Sequence, residues 1–179
     1  MEFRSTGRNV RIYTLAKILR PEVISIGNNV IIDDFVFLNG GKNTCIGSYV
    51  HIASFCSIIG GGEFVMEDFS GLSAGCRIVT GTDDFSGSSL TNPTVPLEFR
   101  NVERSFVRIE KHAILGSNTV VLPGITVGEG VAVGACSLVT RDLEPWTVNV
   151  GIPAKPIGKR PKEIILDMER RLREKYGEG

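Results

Sequence analysis

A parallel β-helix built from six-residue repeats is the fold this sequence predicts: an all-β class carrying one short terminal helix. Three observations predict it. Aliphatic residues recur every six positions through most of the 179-residue chain. In the first half that spacing is nested in a longer period of twenty. Glycine often follows the aliphatic residue directly, as at Gly27, Gly47, Gly116, Gly128 and Gly134.

The hexads begin at Ile12 and Ile18. Eight-residue steps then lead to Ile26, Ile32 and Leu38, to Ile46, Ile52 and Ile58, and to Met66, Leu72 and Ile78. After an interruption, Ile109, Leu115, Val121, Val127, Val133 and Val139 follow six apart. The period of twenty puts Ile12, Ile32, Ile52 and Leu72 in one column and Ile18, Leu38, Ile58 and Ile78 in another. Four residues after many of these stands a small or medium residue, among them Val30, Val36, Val50, Cys56, Cys76, Thr119 and Ser137. A period of six fits neither a helix nor a plain alternating strand. It fits a short strand followed by a sharp turn. Three such units close a triangular coil, and coils stack about 4.8 Å apart through parallel ladders. Stacking buries the matching columns, so a core forms without helices. The eight-residue steps are then two-residue bulges at one corner.

Residues 80–106 break the rhythm with a long loop excursion, "TGTDDFSGSSLTNPTVPLEFRNVERSF". Loops longer than about 12–15 residues are uncommon and are often functional. Beyond the coils stands "GIPAKPIGKR", and then "PKEIILDMERRLREKYG", which reads as a helix ended by Gly177, with Ile164, Ile165, Met168 and Leu172 on one stripe. The expected organisation is a β-helix domain over 1–160 and a C-terminal helix within 161–179.

Composition narrows the functions. The formal net charge is zero, which gives no footprint for general nucleic-acid binding. No apolar run spans a bilayer, and the N-terminal stretch lacks the apolar segment of a secretion signal. The expectation is a cytoplasmic protein with no membrane partner. Cys45, Cys56, Cys76 and Cys136 fit no metal or redox spacing and are expected to be small buried hydrophobes. Only two histidines are present, His51 and His112, both expected to be exposed turn residues.

The tandem hexads resemble those of the hexapeptide-repeat acyltransferases, whose fold is a left-handed parallel β-helix; the resemblance covers roughly residues 10–160. The handedness comes with the resemblance, because ordinary parallel crossovers are right-handed. Residues 113–155, "AILGSNTVVLPGITVGEGVAVGACSLVTRDLEPWTVNVGIPAK", are similar to the C-terminal half of the galactoside and maltose acetyltransferases. That resemblance implies a homotrimer, acetyl-CoA or another acyl-CoA as co-substrate, and no metal. It places CoA in a groove between subunits, with pantetheine along Gly116, Ser117, Gly134 and Ala135. The adenosine and phosphates would lie toward Thr140, Arg141, Lys155, Lys159 and Arg160. Small residues suit close approach of a slim chain, although tight turns also call for glycine. Basic residues suit phosphates.

The excursion separates this chain from the sugar O-acetyltransferases. They carry a catalytic histidine just after a Thr-Gly pair, whereas here the slot reads Thr82 and then Asp83. A sugar hydroxyl needs a base tuned near neutral pH, and an ordinary aspartate with a pKa of about 3.9 serves poorly. An amine is already nucleophilic and needs orientation and a place to leave a proton. "AGCRIVTGTDDFSG" followed by "TNPTVP" resembles the N-acyltransferases of nucleotide-linked amino sugars, which implies such a sugar as partner. The catalytic candidates are Asp83 first and Asp84 second, against the reading of both as plain turn residues. Ser73, Glu98 and Arg100 are candidate substrate contacts. The alternatives are a sugar O-acetyltransferase, with His112 as reserve base, and a non-catalytic β-helix scaffold. A γ-type carbonic anhydrase needs three histidines per zinc, which this chain does not supply.

Overall fold

The aliphatic columns stack in register in the computed structural model, which describes residues 2–177. Ile12, Ile32, Ile52, Leu72, Leu115 and Val133 pair successively on one face. Ile18, Leu38, Ile58, Ile78, Val121 and Val139 do so on a second. Ile26, Ile46, Met66, Ile109 and Val127 form a third. All of these except Ile12 are buried, as are the positions four residues on: Val30, Val36, Val50, Cys56, Cys76, Thr119 and Ser137. The result is an all-β solenoid of about seven turns.

In chain order each turn visits face one (for example Glu63–Met66), face two (Gly71–Leu72) and face three (Arg77–Val79). Corner one joins faces one and two, corner two joins faces two and three, and corner three leads into the next turn. The eight-residue steps fall at corner three, as the bulge reading predicts, and the excursion is an expansion of that same corner. Its root is a short antiparallel pair, Gly81–Asp83 with Val102–Arg104. Glycine is required beneath it. A Cβ on Gly81 would stand 2.6 Å from the Gly60 carbonyl oxygen, and one on Gly62 would strike the carbonyls of Thr80 and Ser105. The run "GGG" at 60–62 was therefore a readable sign of where the excursion is rooted.

Corners turn through left-handed residues. At corner one these are Asn9, Asn29, Tyr49, Phe69, His112, Gly130 and Trp146. Tyr49 stacks on Phe69 at 4.7 Å and Phe69 on His112 at 5.2 Å. Gly130 leaves room for Trp146, whose ring a Cβ there would strike. Such ring stacking adds to burial at a corner that would otherwise face water.

The terminal helix, α1 (Lys162–Tyr176), lies on this ladder and ends at Gly177 (φ 81). Its stripe is only partly covered: Ile165 and Leu172 are half-buried, while Ile164 and Met168 stay exposed. Charge fastens the helix. Glu169 accepts from His112 Nε2 at 2.7 Å and pairs with Lys111 at 2.7 Å, and Arg173 reaches both Glu169 and Asp68. Burial pushes the Glu169 carboxyl up, but hydrogen bonds from Lys111, Arg173 and His112 outweigh it and hold the group at about 2. A depressed carboxylate stabilises above its unfolded pKa and loses that contribution as pH falls through the folded one. Helix docking should therefore weaken between about pH 4.5 and about pH 2. Glu169→Gln should remove that acid limb, read by amide exchange along α1.

Two expectations change here. His112 is a buried docking residue under α1, not an exposed turn residue. Cys56 and Cys76 are buried as expected, but Cys136 is exposed at a left-handed corner position and Cys45 is half-exposed.

Candidate active site

The candidate site lies on the turn that carries Leu72. Ser73 follows that inward leucine at the edge of face two. Its carbonyl accepts from the Cys56 thiol at 3.1 Å and its amide donates to Leu115 O at 2.9 Å, so its backbone is pinned. Asp83 ends the first strand of the excursion root, opposite Val102, and is half-buried. Ser73 and Asp83 therefore belong to one turn but to opposite edges of face three, a separation of more than about 10 Å at roughly 3.3 Å per strand residue.

Asp84 has another task. Its carboxylate accepts from the Ser86 amide (2.7 Å), the Ser86 hydroxyl (2.5 Å) and the Ser88 hydroxyl (2.7 Å). Those bonds, those from Ser86 foremost, hold the group well below the usual carboxylate range. It closes a turn, and its proton-accepting capacity is spent. Of the adjacent pair, Asp84 is the one engaged in the turn with Ser86 and Ser88.

Glu98 and Arg100 lie farther along the excursion, with Glu98 on the one-turn helix Leu97–Phe99. With Ser88, Leu90 and Asn101 they line an open recess of about 570 Å³. Arg100 is half-buried and its Nε has no partner among the described residues. A buried guanidinium N–H without an acceptor is costly, and an anionic ligand would satisfy it.

Corner two carries Gly116, Ser117, Gly134 and Ala135, the residues expected to line a CoA groove. The amides of Ser73, Gly116 and Gly134 donate down the ladder to Leu115, Val133 and Asn149. The next amides, those of Ala74, Ser117 and Ala135, find no acceptor among the described residues. They form a column of donors on successive turns beside small side chains. Gly116 is required there, since a Cβ would stand 2.6 Å from the Ala135 nitrogen. Gly116's own amide is thus committed to the ladder, and of the pair Gly116 and Ser117 only the Ser117 amide is left without a partner among the described residues.

The basic residues that run together in sequence sit on different elements, although Arg141 shares a recess with Thr147 and Pro156 of the last strand pair. Thr140 and Arg141 sit at corner three, just past the last strand of face three. Lys155 and Lys159 lie at opposite ends of a strand that caps face two, beside Val150 and Thr147 respectively. Arg160 is engaged elsewhere: it donates to His112 O at 2.8 Å and to Gly130 O at 3.1 Å, and burial lowers its pKa. The expected phosphate role does not suit it. Arg160→Ala should cost about 1.5–3 kcal/mol of stability, the scale for a hydrogen bond to a charged group, and leave CoA affinity unchanged by calorimetry.

Neither histidine lies at the excursion. His51 is exposed on face two and pairs with Asp33 at 3.1 Å. His112 sits under α1 at corner one, so it cannot serve as the reserve base. No group of three metal-ligating side chains is present among the described residues.

Hexads, a donor column lined by small residues and an excursion at one corner define a hexapeptide-repeat transferase. Residues 106–141 match the model of the bacterial transferase hexapeptide (six repeats). The chain is 45% identical, over 92% of its length and 86% of the relative's, to dTDP-4-amino-4,6-dideoxy-D-glucose acyltransferase of Escherichia coli. It superposes on AntD, an N-acyltransferase from Bacillus cereus solved with dTDP and 3-hydroxybutyryl-CoA, with a TM-score of 0.90 at 41% identity, covering 97% and 92% of the two chains. AntD has also been solved with substitutions at one serine and at an aspartate ten positions further on. A maltose O-acetyltransferase from Clostridium difficile shares the fold at 22% identity and a TM-score of 0.61, over 89% and 71% of the chains. The chain belongs to the acyltransferase family of the dTDP-4-amino-4,6-dideoxy-D-glucose enzyme.

Proposed function

We propose that this acyltransferase moves an acetyl or other short acyl group from CoA to the amine of a dTDP-4-amino-4,6-dideoxyglucose-type sugar, in surface-polysaccharide biosynthesis. One observation carries the reading. Ser73 is the only serine in the chain with an aspartate, Asp83, ten positions further on, the spacing of the serine and aspartate substituted in AntD. Free cysteines suit the reducing cytoplasm, where we place the enzyme.

The amine attacks the thioester carbonyl, forming the C–N bond. The Ser117 amide stabilises the oxyanion. Collapse breaks the C–S bond, while the proton released by nitrogen passes to Asp83 and on to the departing thiolate. Ser73 orients the amine. Acyl-CoA lies along the column of Ala74, Ser117 and Ala135, with Gly134 beneath it and Lys155 near its phosphates. Arg100, with Glu98 beside it, offers its free N–H to the diphosphate.

Because Ser73 and Asp83 stand at opposite edges of face three, they serve one amine only if corner two of one subunit meets corner three of the next. Repeating that head-to-tail contact around three copies closes a ring, which supports a homotrimer. Thr140, Arg141 and Lys159 are then free to reach CoA across the subunit boundary.

The test is incubation with acetyl-CoA and a panel of nucleotide amino sugars, followed by mass spectrometry. The expected product withstands hydroxylamine, as an amide does. A hydroxylamine-labile ester would return the reaction to O-acylation.

A further inference from the structure

Two phenylalanines stand in the open at corner two. Phe35 and Phe55 occupy equivalent left-handed positions on successive turns and stack at 5.0 Å with an interplanar angle of 6°. They remain 52% and 58% exposed. The period of twenty puts Gly75 next in that column and Asn118 above it. The stack therefore ends where the side chain ends, and the upper face of the Phe55 ring has no ring above it. Turns lie about 4.8 Å apart, so the level of Gly75, one turn above Phe55, gives a planar ring a place over Phe55, with the Asn118 side chain beside it at the Gly75 position.

The upper boundary is polar. The Asn118 side chain leans over Gly75, where a Cβ would strike its Oδ1. Neither end of that carboxamide has a partner among the described residues. The lower boundary is held in place, because Arg77 Nη1 donates to the carbonyls of Phe55 (2.7 Å) and Gly75 (2.5 Å). Ser73 is two residues from Gly75. The donor column for acyl-CoA extends from this level toward the C-terminal turns, and the aromatic stack extends toward the N-terminal turns.

We infer that Phe55, backed by Phe35, is the platform on which the pyrimidine base of the nucleotide sugar stacks, with the Asn118 carboxamide meeting the base's polar edge. The two substrates then approach Ser73 from opposite ends of one corner. A carboxamide offers both a donor and an acceptor, which matches the alternating N–H and C=O edge of a pyrimidine. The inference rests on the nucleotide-sugar reading above and adds the residues that recognise the base.

The probe is dTDP titrated into the whole protein. Stacking of one base on an aromatic side chain predicts roughly a 10–100-fold loss of dTDP affinity in Phe55→Ala. CoA affinity and oligomeric mass should be unchanged. Phe55→Trp should keep the affinity, and the introduced indole should be quenched by dTDP; the native Trp146 is buried at corner one and serves as the background. Asn118→Ala should lose affinity for dTDP and leave CoA binding intact. Wild-type dTDP affinity in Phe55→Ala, or an unquenched indole in Phe55→Trp, overturns the platform while leaving the acyl-transfer reading standing. A Phe55→Ala protein that falls apart into smaller species makes the ridge a contact between copies and overturns the platform too. If the wild-type protein takes no dTDP, both the platform and the nucleotide-sugar reading fail.

Discussion

Asp83→Asn should lower kcat more than tenfold while the protein stays folded and keeps its oligomeric mass. The substitution preserves shape and one hydrogen bond but cannot take up the amine's proton, and removal of a positioned acid–base group costs about 10²–10⁴ in rate. The fold should tolerate it, because the excursion root is held by backbone pairing, by Gly60, Gly62 and Gly81, and by the buried Thr80, whose hydroxyl donates to Ile59 O at 2.8 Å. The companion substitution Asp84→Asn weakens a turn that Ser86 and Ser88 close, and should change kcat by less than about threefold on the scale of surface changes. Steady-state kinetics with acetyl-CoA decides between them. Equal losses in both, or loss in Asp84→Asn alone, would remove Asp83 from the mechanism.

Ala135→Trp should abolish turnover, and mixing that variant with Asp83→Asn should restore it in part. The tryptophan would lie across the donor column of Ala74, Ser117 and Ala135 and deny pantetheine its backbone contacts, at an exposed position where the fold has room. Each variant spoils a different half of the site. If the halves come from neighbouring subunits, random trimers refolded from equal amounts give an intact junction at roughly a quarter of the sites. Recovery of about that share of wild-type activity is the expected result. No recovery, with mixed trimers demonstrated by mass spectrometry, would place both halves in one chain and remove the argument from the distance between Ser73 and Asp83.

Periodicity carried the fold because each turn buries the same kind of residue at the same offset. Ile32, Ile52 and Leu72 could be stacked on paper, and so could the corner bulges that make steps of eight. The loss of histidine beside Thr82 and the presence of Asp83 were equally legible, since they concern residue types at known offsets. Two further features are also local in the sequence: the glycine run at 60–62 beneath the excursion, and Phe35 and Phe55 one period apart.

Other features depend on where corners fall in space, which no offset along the chain reveals. Arg141, Lys155, Lys159 and Arg160 look like one basic cluster until the last turn sets them on different elements. Asp83 and Asp84 look interchangeable until the turn at Ser86 and Ser88 absorbs one of them. His112 looks like a surface histidine until α1 folds back across it, fifty-seven residues later in the chain, and brings Glu169 to its ring. The sequence by itself determined the coil and its columns, because those follow from a repeating short-range pattern. Only the tertiary structure decided which charged groups are already satisfied, because hydrogen-bond partners are chosen by proximity across turns and not along them.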